Sequence, residues 1–172
     1  DPYGYTFATG SIGITDYDVA RALSVANYSN LYYKGSTDGW SGNVYLERGF
    51  TFSLPGSDLQ PYGGLQYTHL HADDYNESGS LDTLSIKTDE SNYDSLEGIL
   101  GIRWVKSTLL GARQFDFNAY TNWTHEFLDA SPDGFISLAG RPDGSIRIIG
   151  NSVGRDWIYA GIGGKLYGHN GV

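Results

Sequence analysis

Residues 113–127, RQFDFNAYTNWTHEF, alternate without interruption. Phe115, Phe117, Ala119, Thr121, Trp123 and Phe127 project one way, while Gln114, Asp116, Asn118, Tyr120, Asn122, Thr124 and Glu126 project the other. A two-residue period gives a strand one oily and one wet face. At about 3.3 Å per residue the segment is about 50 Å long, or about 35 Å in height when tilted by about 45°. That outruns ordinary globular strands and suits a strand that crosses a bilayer.

The same period recurs. In 42–54, GNVYLERGFTFSL, Val44, Leu46, Phe50, Phe52 and Leu54 share one phase, and Asn43, Tyr45, Glu47, Gly49, Thr51 and Ser53 the other. Arg48 breaks the pattern. On a lipid face at mid-depth it would cost about 2–4 kcal/mol, so the expectation is that it lies near an interface or that a bulge at Gly49 turns it inward. In 96–106, Leu96, Leu100, Ile102 and Trp104 oppose Glu97, Gly101 and Arg103. Segments 59–71 and 156–167 repeat the alternation, and 3–14, 19–26, 82–88, 134–139 and 145–150 are weaker strand candidates. No stretch carries a sustained helical stripe. The acidic turns 73–82, 88–94, 129–134 and 141–144 separate these strands, with Asp143-Gly144 a hairpin signal, so the expectation is one antiparallel meander.

Composition fits this reading. The 172 residues allow one domain or part of one, and a mean hydropathy of −0.35 without any 18-residue apolar run excludes a helical membrane span but not a barrel. The 24 Gly and 14 Tyr suit a curved sheet with aromatic girdles, although a secreted β-sandwich binding module would use them as well. Absence of Cys removes disulfides and thiolate chemistry. A net charge of −9 with only 11 scattered cations argues against a nucleic-acid partner. The chain opens at Asp1 without an apolar leader, so an export signal is expected outside it, and the segment reads as a fragment.

Four strings in order, LQPYGGLQYTHLHADDYNESG (59–79), NYDSLEGILGIRW (92–104), NWTHEFLD (122–129) and SVGRDWIYAGIGGKLY (152–167), resemble the β-domain of bacterial autotransporters, the type V secretion translocators. The resemblance runs over most of the chain. It implies an all-β fold: an antiparallel meander forming part of a transmembrane β-barrel of about twelve strands when complete, in the outer membrane of a Gram-negative bacterium. Residues 1–172 would then be a partial translocator domain that anchors and helps export an N-terminal passenger absent from this chain. Its implied partners are outer-membrane lipid, its own linker and passenger in the lumen, and the barrel-assembly machinery. Family members end on a strand with an aromatic last residue, whereas this chain ends Gly168-His169-Asn170-Gly171-Val172. The final hairpin and the first strand or strands are therefore expected to be missing, leaving two open edges. Another outer-membrane barrel, porin-like, and the soluble sandwich are the alternatives.

On the barrel reading Glu47, Glu97, Arg103, Asp116, Asn118, Tyr120, Asn122 and Glu126 face the lumen, and Phe50, Phe52, Leu100, Ile102, Trp104, Phe115, Phe117 and Trp123 face lipid. No catalytic residue, metal ligand or cofactor is assigned. His125 and Glu126 are neighbours on a strand and point to opposite faces, so they cannot share a proton directly. Asp74, Asn76, Ser78 and Gly79 imitate the start of a calcium loop, but Ser85 stands where a bidentate Glu belongs. His69 and His71 share a face near Asp73 and lack an evident third ligand. Sequons at Asn27, Asn76 and Asn122 are discarded as chance matches.

Overall fold

The computed structural model describes residues 3–25, 28–111, 113–128, 133–150 and 154–167. Its long strands are β1 (Tyr3–Val25), β2 (Tyr28–Leu54), β3 (Ser57–Ala72), β7 (Ser91–Leu110), β8 (Arg113–Glu126) and β11 (Asp156–Leu166). They pair antiparallel in that spatial order, a meander curled into a half-barrel with β1 and β11 as its edges. At one end the connections are tight: Pro55-Gly56 joins β2 to β3, with Gly56 at φ 78°, and Gly111 at φ 65° opens the turn from β7 to β8. At the other end lie the long connections 73–90 and 127–155.

Those connections carry the short strands β4 (Tyr75–Asn76), β5 (Ser78–Gly79), β6 (Ile86–Thr88), β9 (Asp133–Leu138) and β10 (Arg141–Ile149). Strands β10, β9, β6 and β4 form a second sheet, so two loops far apart in sequence are tied together. The turn between β9 and β10 is Ala139-Gly140, not the expected Asp143-Gly144, which falls where the register of β10 shifts. The reason is local: a side chain on Gly140 would come within 2.7 Å of Thr83, and the Gly140 amide donates to the Thr83 carbonyl at 3.2 Å.

Strands β1 and β2 run much further than their periodic segments suggested. Their pairing extends from Tyr3 opposite Thr51 to Leu23 opposite Leu31, whereas β3 leaves β2 at Gly39 opposite Ala72. The rest of the hairpin projects as a two-stranded ribbon beyond the main sheet. Segment 73–90 folds back onto it, through Tyr33 opposite Gly79 in β5 and through the Thr37 hydroxyl, which donates to the Asp73 carbonyl at 2.9 Å.

Candidate functional site, the concave polar face

Because side chains alternate and the registers of the main sheet are continuous from β3 through β11, each cross-strand row lies wholly on one face. One face is inverted relative to a soluble protein. Ile162 is 80% exposed there, whereas Glu47 on the opposite face is 4% exposed, and among the described residues only Leu31, Tyr33 and Tyr62 are buried hydrophobics. A sandwich would have buried the apolar face against a second sheet.

The polar face is the concave one. The Arg103 guanidinium on β7 donates to the Tyr5 hydroxyl on β1 at 3.2 Å across two intervening strands, a reach possible only on the inside of a curve. Glu47 is the centre of this network. It accepts from Tyr5 at 2.7 Å and from Tyr45 at 2.5 Å, and lies 3.5 Å from Arg103. Arg103 in turn stacks on Tyr62, whose hydroxyl accepts from the Asn122 amide at 3.2 Å. The carboxylate is thus buried with hydrogen-bond donors and a cation about it, the condition under which a buried charge is tolerated. Beside it opens a cavity of about 970 Å³, lined by Glu47, Arg103, Asp116, Asn118, Asn122 and Lys165 among others. Asn122 Oδ1 is buried there without a partner among the described residues.

Glycine makes room for the tyrosines. Row by row, Tyr5, Gly49, Tyr62 and Gly101 stand opposite one another on β1, β2, β3 and β7. A methyl group on Gly49 would lie 2.5 Å from the Tyr5 ring. Each ring therefore lies flat over a neighbouring glycine and covers a backbone otherwise left bare. Sequence reasoning missed Tyr5, Tyr45 and Tyr62 as members of the site. Tyr45 was legible only as the polar phase of its strand.

All eight residues expected to face the lumen lie on the concave face, and all eight expected to face lipid on the convex one. They do not form one cluster. Glu126 sits apart, at the long-loop end, 2% exposed, accepting from the Ser95 hydroxyl at 2.5 Å, the Leu96 amide at 3.0 Å and the Leu128 amide at 2.9 Å. Glu97 stands opposite it across the β7–β8 pair. His125 points to the convex face and pairs with Asp156 at 2.8 Å, separated from Glu126 by the sheet itself. His69 and His71 also lie convex, against Trp40, paired with Asp94 at 2.7 Å and Asp73 at 3.0 Å. No group of three or more His, Asp or Glu side chains is placed to hold a metal ion among the described residues. Asn27, in the first sequon, lies outside the described residues.

Arg48 does not follow the bulge expectation. The register runs unbroken past it, Thr6 opposite Arg48 and Tyr5 opposite Gly49, so no bulge turns it inward. It projects from the convex face between Leu46 and Phe50, within the apolar band that runs from Leu54 to Trp40. A cation there, with the Thr6 hydroxyl at 2.7 Å and no carboxylate among its contacts with the described residues, weighs against a lipid-facing band.

Beyond the main sheet, the Arg21 guanidinium on the β1–β2 ribbon forms a two-pronged ion pair with Glu77, at 2.6 and 3.2 Å, and lies over the Tyr33 ring. Glu77 also accepts from the Ile86 amide at 3.0 Å and the Tyr75 hydroxyl at 3.2 Å. Burial pushes the Glu77 carboxyl up, but Arg21, the Ile86 amide and Tyr75 outweigh it, and its net shift is downward. Glu77, which falls between the ligand places of the calcium-loop pattern, is thus engaged in holding the loop to the ribbon.

The family model for the autotransporter beta-domain matches residues 3–172. Among curated proteins, no match to the chain is found.

Proposed function

The chain belongs to the autotransporter β-domain family, and from that premise we propose that it is part of the outer-membrane barrel that anchors an N-terminal passenger and helps export it. The family is one of translocators and implies the bacterial outer membrane and a passenger domain. What supports this role for the present chain is the inverted sheet: charged and hydroxyl groups line a hollow, and apolar side chains cover the outside. In this reading residues 1–172 are a partial translocator domain, and the convex residues Phe50, Phe52, Leu100, Ile102, Trp104, Phe115, Phe117 and Trp123 contact lipid. The short-turn end faces the periplasm, and the long loops face outward. Insertion requires the barrel-assembly machinery.

The concave residues divide by role. Glu47, Arg103, Tyr120, Asn118, Asn122 and Asp116 solvate a polypeptide in transit, and the wide hollow beside them then receives the linker. Glu97 and Glu126 shape the outer mouth, with Glu126 fixed to backbone amides as a structural anchor. No catalytic role is assigned: acid and imidazole at 125–126 point to opposite faces.

Asp116→Lys in the full-length protein tests the lumen. Asp116 borders the open hollow, so the reversal is expected to change leak conductance in planar bilayers while heat-modifiable migration shows the barrel still assembled. Unchanged conductance in the assembled variant would remove Asp116 from the lumen. Glu126→Lys is expected to weaken assembly itself, because three donors lose their acceptor.

A further inference from the structure

On the barrel reading above, Arg48 is a cation in the middle of the apolar band. It stands six residues from Leu54 at the short-turn end, about 14 Å above it for a strand tilted about 45°, in a band about 25 Å tall. An Arg exposed to lipid at that depth is costly unless something solvates it. Its side chain leans over β1 toward the short-turn end: Nη1 donates to the Thr6 hydroxyl at 2.7 Å, and Nη2 lies 2.8 Å from where a side chain on Gly4 would begin. Gly4 stands opposite Phe50, four residues from Leu54 and still about 9 Å into the band, so the lean brings the charge to no lipid headgroup. The Phe50 ring centroid lies 5.6 Å from the guanidinium, and no carboxylate is among the contacts of Arg48 with the described residues.

What the lean reaches is the far edge of β1. Because position 4 is a glycine, the guanidinium lies across the strand instead of stopping against a side chain. Among the described residues β1 is paired along one edge only, with β2, and lipid cannot satisfy the other. Strand β1 also starts at the end where β2 meets β3, and β7 meets β8, in tight turns. A meander continued in the same way lays the strand that precedes Tyr3 antiparallel along the free edge, since consecutive strands are usually neighbours. Side chains of one cross-strand row share a face, so the residue of that strand facing Gly4 is convex, with its Cβ about 4.5–5.5 Å from the Gly4 position. An acidic side chain there meets the guanidinium.

With the barrel reading as premise, we propose that Arg48 pairs with a carboxylate, Asp or Glu, at the convex position facing Gly4 on the strand that precedes Tyr3 in the full-length chain. The charge is then met within the band by a partner at its own depth, and the guanidinium fork matches the two carboxylate oxygens. The pair reaches from β2 over β1 to the preceding strand and fastens that strand from the lipid side. A second copy of this chain would not serve. On the described strands of the main sheet, the acids of the convex face are Asp16, Asp18, Asp38, Asp94 and Asp156, and all lie toward the long-loop end. A two-fold dimer about the membrane normal sets like depth against like, so it brings none of them to Arg48.

The full-length sequence is the first check: Asp or Glu is expected at the position facing Gly4, and a preceding strand without an acid in its apolar band would overturn the pair. The second is urea unfolding of the full-length protein from vesicles, followed by heat-modifiable migration. Arg48→Leu takes a cation out of lipid, so an Arg48 without a partner predicts a higher midpoint. The pair predicts the reverse, because a carboxylate is left alone in the band: the unfolded fraction at fixed urea should rise by at least about tenfold. Gly4→Leu keeps the cation but blocks its path across β1, and should act in the same direction. Replacing the facing acid by Leu should destabilise wild type and restore stability to Arg48→Leu. A midpoint that rises or stays unchanged in Arg48→Leu, or a double variant that restores nothing, would refute the proposal. Should Arg48→Leu fail to assemble, recovery of assembly in the double variant decides the matter. The barrel reading is reported separately by wild type, expected in the outer membrane in a heat-modifiable form; absence of that form would remove the barrel itself and not only the pair.

Discussion

Breaking the Arg21–Glu77 pair should release the outer loops from the ribbon without disturbing the barrel. The carboxylate gathers four donor contacts, two from Arg21, one from the Ile86 amide and one from Tyr75, and its side chain is only 2% exposed. Glu77→Gln keeps the shape and an acceptor oxygen but removes the charge, so the loss is that of charge-assisted bonds, about 2 kcal/mol. Arg21 is partly solvated and recovers some of its loss in water, which keeps the figure below that for a fully buried pair. If loop opening precedes cleavage, 2 kcal/mol raises the open population by about 30-fold. Lys87 is the reporter: it is exposed but held in β6 between β4 and β9, and a protease must open that strand to cut after it. Trypsin digestion of the full-length protein in vesicles is expected to cleave after Lys87 about 30-fold faster in Glu77→Gln, and adding Arg21→Gln should bring little further change. Cleavage less than about twofold faster would mean that the pair does not hold the loop.

Acid supplies the same perturbation. The folded-state value of Glu77 is depressed below its unfolded value of about 4.3, so its contribution is present above that pH and disappears as pH falls through the folded value. The ratio of Glu77→Gln to wild-type cleavage by pepsin should shrink toward one as the medium is acidified. A constant ratio would assign the loop's stability to other groups.

Two further substitutions examine the two faces. Phe117→Asp places a carboxylate on the convex face beside Trp104, 5.6 Å away between ring centroids, and is expected to prevent stable insertion, read as loss of the heat-modifiable form; normal insertion would place Phe117 outside the lipid band. Gly49→Val drives a side chain into the Tyr5 ring, which must leave Glu47, and should destabilise the barrel by about 1–3 kcal/mol in urea unfolding from vesicles. Wild-type stability would show that the tyrosine–glycine rows carry no packing role.

What the sequence made legible follows from what a two-residue period encodes. Alternation in 113–127 assigns each side chain to a face, and the faces in the structure follow it from Phe115 to Glu126. Alternation says nothing of curvature. That Glu47 meets Tyr5 and Arg103 depends on a bend bringing together residues 42 and 56 positions apart, while tyrosines read as polar or girdle residues fold over glycines in the next strand. The full length of the ribbon, of which 19–26 was read only as a weaker strand candidate, escaped notice for a related reason. Along the ribbon polar residues fall on both faces, Asp18, Lys34 and Ser36 on one and Arg21 and Thr37 on the other, because outside the main sheet one side is wet and the other is satisfied by a loop rather than by lipid. The period weakens where the apolar environment ends, so the sequence located the band and left only a weak signal, at 19–26, for the strand beyond it. Arg48 is the complementary failure. A rule that forbids a cation in the band predicts either a place near an interface or a bulge, and the backbone keeps its register, without a bulge, and leaves the charge on the convex face. One residue breaking the period is a weaker constraint than the continuous ladder on either side of it, for a slip would turn every apolar residue of β2 inward. The strand accepts the local cost of one exposed cation to keep Val44, Leu46, Phe50, Phe52 and Leu54 on the same face, and the partner of that cation has to come from outside the strand.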